Sequence, residues 1–397
     1  MNKIAVYSEI GKLKTVLLHE PGLELTNLVP DYLEDFLFDD IPWLPLAKKE
    51  HQALAQVFRN AGVKVVYLSD LVTEALDSNE SVRDSFISDF VLESNIDDND
   101  AISKLKMYLK SIKDTKELVL KTMVGIKKSE IDVKSEGNPF ITYPMPNLYF
   151  ERDPVACVGD CVLINRMFFK TRCRETIYGR YIFTYHKDYK NVPKYYEHNG
   201  IPSIEGGDIM ILNENTLLIG ISQRTKLEAI RELAKNLFLK NKTSFKTIVA
   251  FEIPKKRTFM HLDTVFTQVD KYKFLYYKEC FENVGIIKLT KNDNSIIEET
   301  INSKFKDVLE EMLQHEVTLI PCGGDDDVAA AREQWSDGAN SITLEPGEVI
   351  VYERNDITNH VLKKYALKIH SIPSSELSRG RGGPRCMCMP LEREPVK

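Results

Sequence analysis

The sequence predicts an α/β fold built from repeated ββαβ-like units, with a helical subdomain inserted near its start. Three observations carry that reading. Residues 14–68 alternate strand, helix and strand; four later segments each open on Asp or Asn and run into a hairpin; and the block 71–133 keeps a helical period. In the first of these, Lys14-Thr-Val-Leu-Leu-His19 is short and β-branched, which suits a pleated, half-buried surface, and Glu-Pro-Gly22 ends it. Leu54, Val57, Phe58 and Ala61 then fall at helical spacing, Gly62 closes that helix, and 63–68 reads as a second strand. The unit is βαβ. In the block 71–133, Val82, Phe86 and Phe90, then Ile102, Leu105, Leu109 and Ile112, then Val119, Leu120, Met123 and Val124 follow the 3.6-residue period. A helical block inside an alternating chain reads as an added subdomain within one catalytic domain spanning 1–397.

The repeat comes next. Segments beginning at Asp153, Asp208, Asp263 and Asn340 each carry an apolar run, a turn and a second apolar run, the signature of a hairpin. They start 55, 55 and 77 residues apart, and helical segments at 224–238 and 301–314 lie between them. With the N-terminal unit as a further copy, closure around a pseudo-axis would protect the strand edges and gather the leading Asp and Asn residues at one central mouth.

Composition narrows the function classes. Hydrophobic residues at 43% give 397 residues ample apolar content for a core, which argues against disorder. A net charge of −6 leaves no basic surplus for a phosphate backbone or an anionic bilayer, so neither nucleic acid nor membrane is an expected partner. No apolar run approaches the roughly 20 residues that span a bilayer. The N-terminus has no apolar core of a signal peptide, and seven cysteines, an odd number diluted over the chain, suit free thiols. A cytoplasmic protein is expected.

Five segments pair glycines or aromatics with ionisable side chains: Asn147-Leu-Tyr-Phe-Glu-Arg-Asp153, Ile204-Glu-Gly-Gly-Asp208, Met260-His-Leu-Asp263, Gly323-Gly-Asp-Asp-Asp327 and Arg379-Gly-Arg-Gly-Gly-Pro-Arg-Cys-Met387. Cys386 follows three glycines and is flanked by Arg381 and Arg385, whose charge is expected to lower its thiol pKa and make it a nucleophile. The bland alternative is a buried, inert cysteine. Cys388 would make half of a metal site, but no second pair lies near it in sequence. His261 and Asp263 fall on one face if their run is a strand, which suits a general acid/base beside a binding carboxylate, although a lone His there is more often a core residue. Glu205 is placed to orient the imidazole. Asp153 and Asp263 facing one pocket would each offer the acceptor pair that a planar guanidinium fits and an ammonium does not. Arg172, Arg224 and Arg381, with the amide of Asn147, are candidates to pair a carboxylate at the ligand's other end.

Together these segments resemble the arginine deiminase family of the guanidine-modifying superfamily. The resemblance runs from Val16-Leu-Leu-His-Glu-Pro-Gly22 and Leu37-Phe-Asp-Asp-Ile41 through the five motifs and Arg332-Glu-Gln-Trp-Ser-Asp-Gly-Ala-Asn340 to Cys386-Met-Cys-Met-Pro390. It implies a five-bladed pseudo-symmetric ββαβ propeller with an early helical insertion. It also implies Cys386 as nucleophile, His261 as general acid/base, Glu205 orienting that His, and Asp153 and Asp263 gripping the guanidinium. Arg172, Arg224, Arg381 and Asn147 would contact the amino-acid end, with Arg174 an alternative to Arg172 in the same run, and Phe150 would pack on the aliphatic stem. Glu151 departs from relatives that carry a small polar residue there and is expected to point away from the site.

The activity so implied is hydrolysis of L-arginine to L-citrulline and ammonia through a Cys-thiouronium, with no metal or organic cofactor. An amidinotransferase, a metallohydrolase using His261 and the carboxylates, and a non-catalytic arginine sensor are the rivals. A homodimer or higher homo-oligomer is expected, with the helical insertion a candidate contact.

Overall fold

The computed structural model describes residues 4–135, 137–197, 199 and 202–396. It is a mixed α/β architecture of several small sheets, and no sheet closes on itself among the described residues.

Five of the sheets share one topology, an antiparallel pair followed by a parallel third strand. Val155–Val158 and Cys161–Ile164 pair antiparallel, and Lys194–Tyr196 returns parallel after the helix Thr176–Tyr185. Ile209–Asn213, Thr216–Ile221 and Thr247–Glu252 repeat the pattern around the helix Leu227–Lys235. Phe266–Asp270, Lys273–Tyr276 and Thr318–Pro321 repeat it around Phe305–Leu313, and Ile342–Glu345, Glu348–Tyr352 and Lys368–Ile372 around Asp356–Lys364. The fifth copy joins the chain's ends: Met389–Arg393 pairs antiparallel with Leu13–Leu18, which runs parallel to Lys64–Tyr67 across the helix Leu44–Asn60. Parallel pairs need such a crossover, and apolar strands such as Val155–Val158 and Thr216–Ile221, buried along their whole length, follow from helices covering them.

Several sequence expectations shift. Leu68, read as the end of a strand, instead opens a helix, and the segment 301–314 is helical only over Phe305–Leu313. His261 and Asp263 do not sit on a strand: Leu262–Thr264 is a single 3-10 turn, and the strand starts at Phe266. A hairpin the sequence reading did not anticipate, Gly285–Asn292 with Ser295–Thr300, extends one sheet to five strands.

Between Leu68 and Val124 the chain forms four helices, Leu68–Leu76, Glu80–Glu93, Asn99–Ser111 and Thr115–Val124. Asn79, Asp98 and Asp114 cap three of them by accepting from backbone N–H groups of the first turn, which satisfies donors the helix itself leaves open. Their apolar stripe, including Phe86, Phe90, Leu105, Leu109 and Val119, is buried, and Phe86 meets Tyr181 of the helix Thr176–Tyr185 edge to face at 5.1 Å. Beyond Val124 the helical pattern stops, and Ile126–Lys127 pairs with Phe140–Thr142. No helix among the described residues is long and apolar enough to cross a membrane.

Candidate active site

Each of the five topologically alike sheets is entered through a turn, and the residue at that turn is polar or nucleophilic. Asp153, Asp208, Asp263 and Asn340 stand one to three residues before a first strand. Cys386, three residues before Met389, is the fifth member of the series. The turns are tied into a closed circuit. The N–H of Arg152 donates to the carbonyl of Cys386 (3.0 Å), Gly206 N–H to Asp153 O (3.1 Å), and Leu262 N–H to the Asp208 carboxylate (2.8 Å). The Asn340 amide then donates to Asp263 O (2.9 Å), and its Oδ1 accepts from the N–H groups of Arg385 (2.9 Å) and Cys386 (3.3 Å). Residues far apart in sequence are thereby held on rigid strand entrances.

The glycines of two motifs serve close approach. A Cβ on Gly207 would lie 2.6 Å from His261 Nδ1, and one on Gly383 would lie 2.6 Å from Asn340 Oδ1, so any side chain at either position would displace the site.

The charged groups form two linked clusters, all nearly devoid of solvent contact. In one, His261 Nε2 lies 2.8 Å from Glu205 Oε2 and Nδ1 lies 3.6 Å from Asp153 Oδ1. Glu205 also faces Arg224 (3.4 Å) and accepts from Phe168 N–H (2.9 Å), while Arg172 donates to Asp153 Oδ2 (2.7 Å) and to Glu175. In the other, Cys386 Sγ lies 3.6 Å from Asp263 Oδ2 and accepts from the Asn340 amide at 3.1 Å. Arg385 donates to the same Asp263 oxygen (2.9 Å) and to Glu9 (3.1 Å). Asp153 Oδ1 and Asp263 Oδ1 are buried and accept no hydrogen bond, the first having only the 3.6 Å ion pair with His261.

These contacts set the protonation states. Burial alone would lower the His261 pKa, but the Asp153 charge, the hydrogen bond to Glu205 and the charges of Asp208 and Glu205 outweigh it and carry it up to about 9. Burial would raise Glu205, yet the Arg224 charge and His261 take it down to about 2. His261 is therefore an imidazolium paired with a carboxylate. Cys386 departs from the sequence expectation: burial and the charges of Asp263, Asp153 and Asp337 push its thiol well above the usual range. The flanking arginines do not counter this, because Arg385 is committed to Asp263 and Glu9, while Arg381 stacks 3.4 Å over the Trp335 ring.

Asp153, Glu205 and His261 each offer an atom within 4.8 Å of the others, the spacing of a metal site. Their charges are already matched by Arg172, Arg224 and the imidazolium itself, so the trio has the balance of an ion-pair network.

The remaining candidates lie as follows. Arg172 and Arg224 hold Asp153 and Glu205. Arg381, with backbone φ of 60°, has no hydrogen bond from any of its three nitrogens and stands 3.8 Å from Asp39. The Asn147 amide donates to Phe36 O (2.8 Å), and the Phe150 ring abuts Gly382. Arg174 turns instead to Ser94, Tyr143 and Phe90. Glu151, expected to point away from the site, is buried within the electrostatic reach of Glu175, Arg172 and Asp153, and burial with the Glu175 charge raises its pKa well above the carboxylate range. Sequence reasoning missed the thiol's amide donor Asn340 and the Glu9–Arg385–Asp263 chain. Asn340 had a signal, its place in the repeat; Glu9 had none.

A family model described as arginine deiminase matches residues 34–393. Over the full length of both chains, the protein is 46% identical to an arginine deiminase of Treponema denticola, and over 98% of both it is 49% identical to one of Streptococcus agalactiae. In solved structures it resembles the N-terminal domain of a cyanobacterial arginine dihydrolase bound to product (TM-score 0.56, 12% identity), covering 96% of this chain and 99% of that one. It also resembles a dimethylarginine dimethylaminohydrolase of Pseudomonas aeruginosa complexed with citrulline (TM-score 0.53, 16% identity, 95% and 99% covered). The chain spans 40% of the length of a further match, AgrE (TM-score 0.55, 15% identity, 96% of this chain). At such identities these structures speak for the fold.

Proposed function

The chain belongs to the arginine deiminase family, and on that premise we propose that it hydrolyses L-arginine to L-citrulline and ammonia through a covalent intermediate on Cys386. The observation that carries this reading is a pair of buried carboxylate oxygens that accept no hydrogen bond, Asp153 Oδ1 and Asp263 Oδ1, beside a thiol and an imidazolium. Buried acceptors without donors are costly, and a guanidinium supplies donors in the plane where two carboxylates can use them.

The free enzyme holds Cys386 as a thiol because it is buried and the charges of Asp263 and Asp153 lie nearby. A bound guanidinium offsets those charges, so the substrate itself favours the thiolate, whose proton passes to solvent. The thiolate attacks the guanidinium carbon, and the C–N bond breaks as the His261 imidazolium protonates the departing nitrogen, releasing ammonia. His261, now neutral and still held by Glu205, takes a proton from water; the hydroxide adds to the thiouronium carbon, the C–S bond breaks with its electron pair going to sulfur, the hydroxyl proton passes to that thiolate to restore the thiol, and citrulline leaves. Arg381 binds the amino-acid end, joined by Arg172, Arg224 and Asn147 as they turn from Asp153, Glu205 and the Phe36 carbonyl, their partners in the free enzyme, and Phe150 packs on the stem. For Arg381, guanidinium nitrogens that donate no hydrogen bond support this role.

We read the five sheets of common topology as blades of a five-bladed pseudo-symmetric propeller, with 71–133 inserted within the single domain 1–397. The hydrogen-bonded circuit through the five strand entrances and the pairing of Met389–Arg393 with Leu13–Leu18 support it. A cytoplasmic homodimer or higher oligomer remains the expectation, checked by solution mass.

The test is a product assay on purified protein. Citrulline from free arginine in preference to agmatine or methylated arginine supports the reading; guanidinoacetate appearing when glycine is added would identify an amidinotransferase.

A further inference from the structure

Arg152, Arg385 and Arg393 are buried, 5%, 1% and 4% exposed, and all three act electrostatically on Glu9, which Arg385 meets directly at 3.1 Å. Arg385 is fully engaged, donating to Glu9, Asp263 and the carbonyl of Ile209. The other two are not. Arg393 Nη1 donates to the carbonyls of Gly11 (2.7 Å) and Thr343 (2.8 Å), but its Nε and Nη2 have no partner. Arg152 Nε reaches the Arg385 carbonyl at 3.4 Å, and its Nη2 has no partner.

The charge around them does not balance. Two carboxylates, Glu9 and Asp263, face three cations, and Cys388 adds no negative charge because burial pushes its thiol up to about 12 despite the arginines around it. Arginine does not shed its proton under ordinary conditions, and a buried charge without a counter-charge is costly. Consistent with a missing counter-charge, burial and the Arg385 charge lower Arg152 to about 10, and burial with the charges of Arg152 and Arg385 lowers Arg393 to about 9, in spite of Glu9.

We propose that this cluster is a binding site for one small inorganic anion of halide size, held between Arg152 Nη2 and the Nε and Nη2 groups of Arg393. The anion restores neutrality to the cluster and leaves Glu9 committed to Arg385, and hence Arg385 to Asp263. The site is structural, takes no part in the arginine chemistry, and stands whether or not the proposed activity is correct.

Bromide is the probe. Crystals of the unmodified protein grown in sodium bromide are expected to show an anomalous peak within hydrogen-bonding reach of Arg152 and Arg393. In solution, the melting temperature is expected to rise saturably by roughly 2–4 °C with chloride or bromide but not with gluconate at equal ionic strength. Arg393→Met removes the excess cation and is expected to abolish the halide-specific rise. Water without anomalous signal at the site, peaks confined to the surface, or equal effects of halide and gluconate would overturn the proposal. The map needs no variant, so it decides even if Arg393→Met does not fold.

Discussion

At the scale of single residues, the site is defined by two protons, one on the Cys386 sulfur, where the flanking arginines did not lead one to expect it, and one on the His261 ring, where a general acid needs it. The first gives a direct prediction. Inactivation of the free enzyme by iodoacetamide should follow an apparent pKa above 9, and a value below 7 would contradict the arrangement. The Asn340 amide is the donor on the sulfur, and hydrogen bonds to charged groups contribute about 1.5–3 kcal/mol. Asn340→Ala should therefore lower kcat roughly 10- to 100-fold and move the alkylation profile to still higher pH, while KM for arginine changes little; an unchanged profile would remove Asn340 from this role. The motifs holding Cys386, His261, Glu205, Asp153 and Asp263 were legible in sequence because each sets its ionisable group among glycines or apolar residues just ahead of an apolar run. The direction of the thiol shift was not. Two arginines beside Cys386 in sequence suggested a lowered pKa, but side-chain direction decides which charge the sulfur feels, and the nearer charges are carboxylates.

At the scale of elements, patterning succeeded where one face is buried and the other is wet. The insert helices repeat apolar residues at 3.6 spacing, and the structure buries Phe86, Phe90 and Leu105 completely. Phe86→Ala should cost about 3–5 kcal/mol and lower the melting temperature. Its kcat on arginine, measured below the transition, should stay near wild type, since the residue packs on Tyr181 and not on the site. The hairpin Gly285–Asn292 with Ser295–Thr300 escaped notice for the opposite reason. Its outer strand is exposed along nearly its whole length, so no alternation of apolar and polar residues marks it. The turn Leu262–Thr264 escaped because a three-residue element has no period to read, and only its hydrogen bonds define it.

At the scale of the whole molecule, the proposed catalytic centre depends on contacts between the ends of the chain. The sequence repeat disclosed four strand entrances but not that Cys386 is the fifth, since the last unit is completed by strands from the N-terminus, and no local pattern announces that pairing. Glu9 belongs to the same closure. Burial would raise its pKa, but Arg385 and Arg152 bring it down to about 2. A carboxyl depressed in the fold stabilises it fully above its unfolded value near 4.5, and that stability is lost as pH falls from there toward 2. Glu9→Gln should flatten the acid limb of stability against pH and cost about 3–5 kcal/mol at neutral pH by leaving Asp263 as the one counter-charge in contact with Arg385. An unaltered acid limb would contradict the ion pair.

The central claim, that arginine is carried on the sulfur of Cys386, is tested most directly by acid-quenching the enzyme during turnover of arginine and mapping adducts by mass spectrometry. The account predicts a mass increase of arginine less ammonia on the peptide bearing Cys386, absent in Cys386→Ala. Steady citrulline formation without that adduct, or by Cys386→Ala itself, would contradict it.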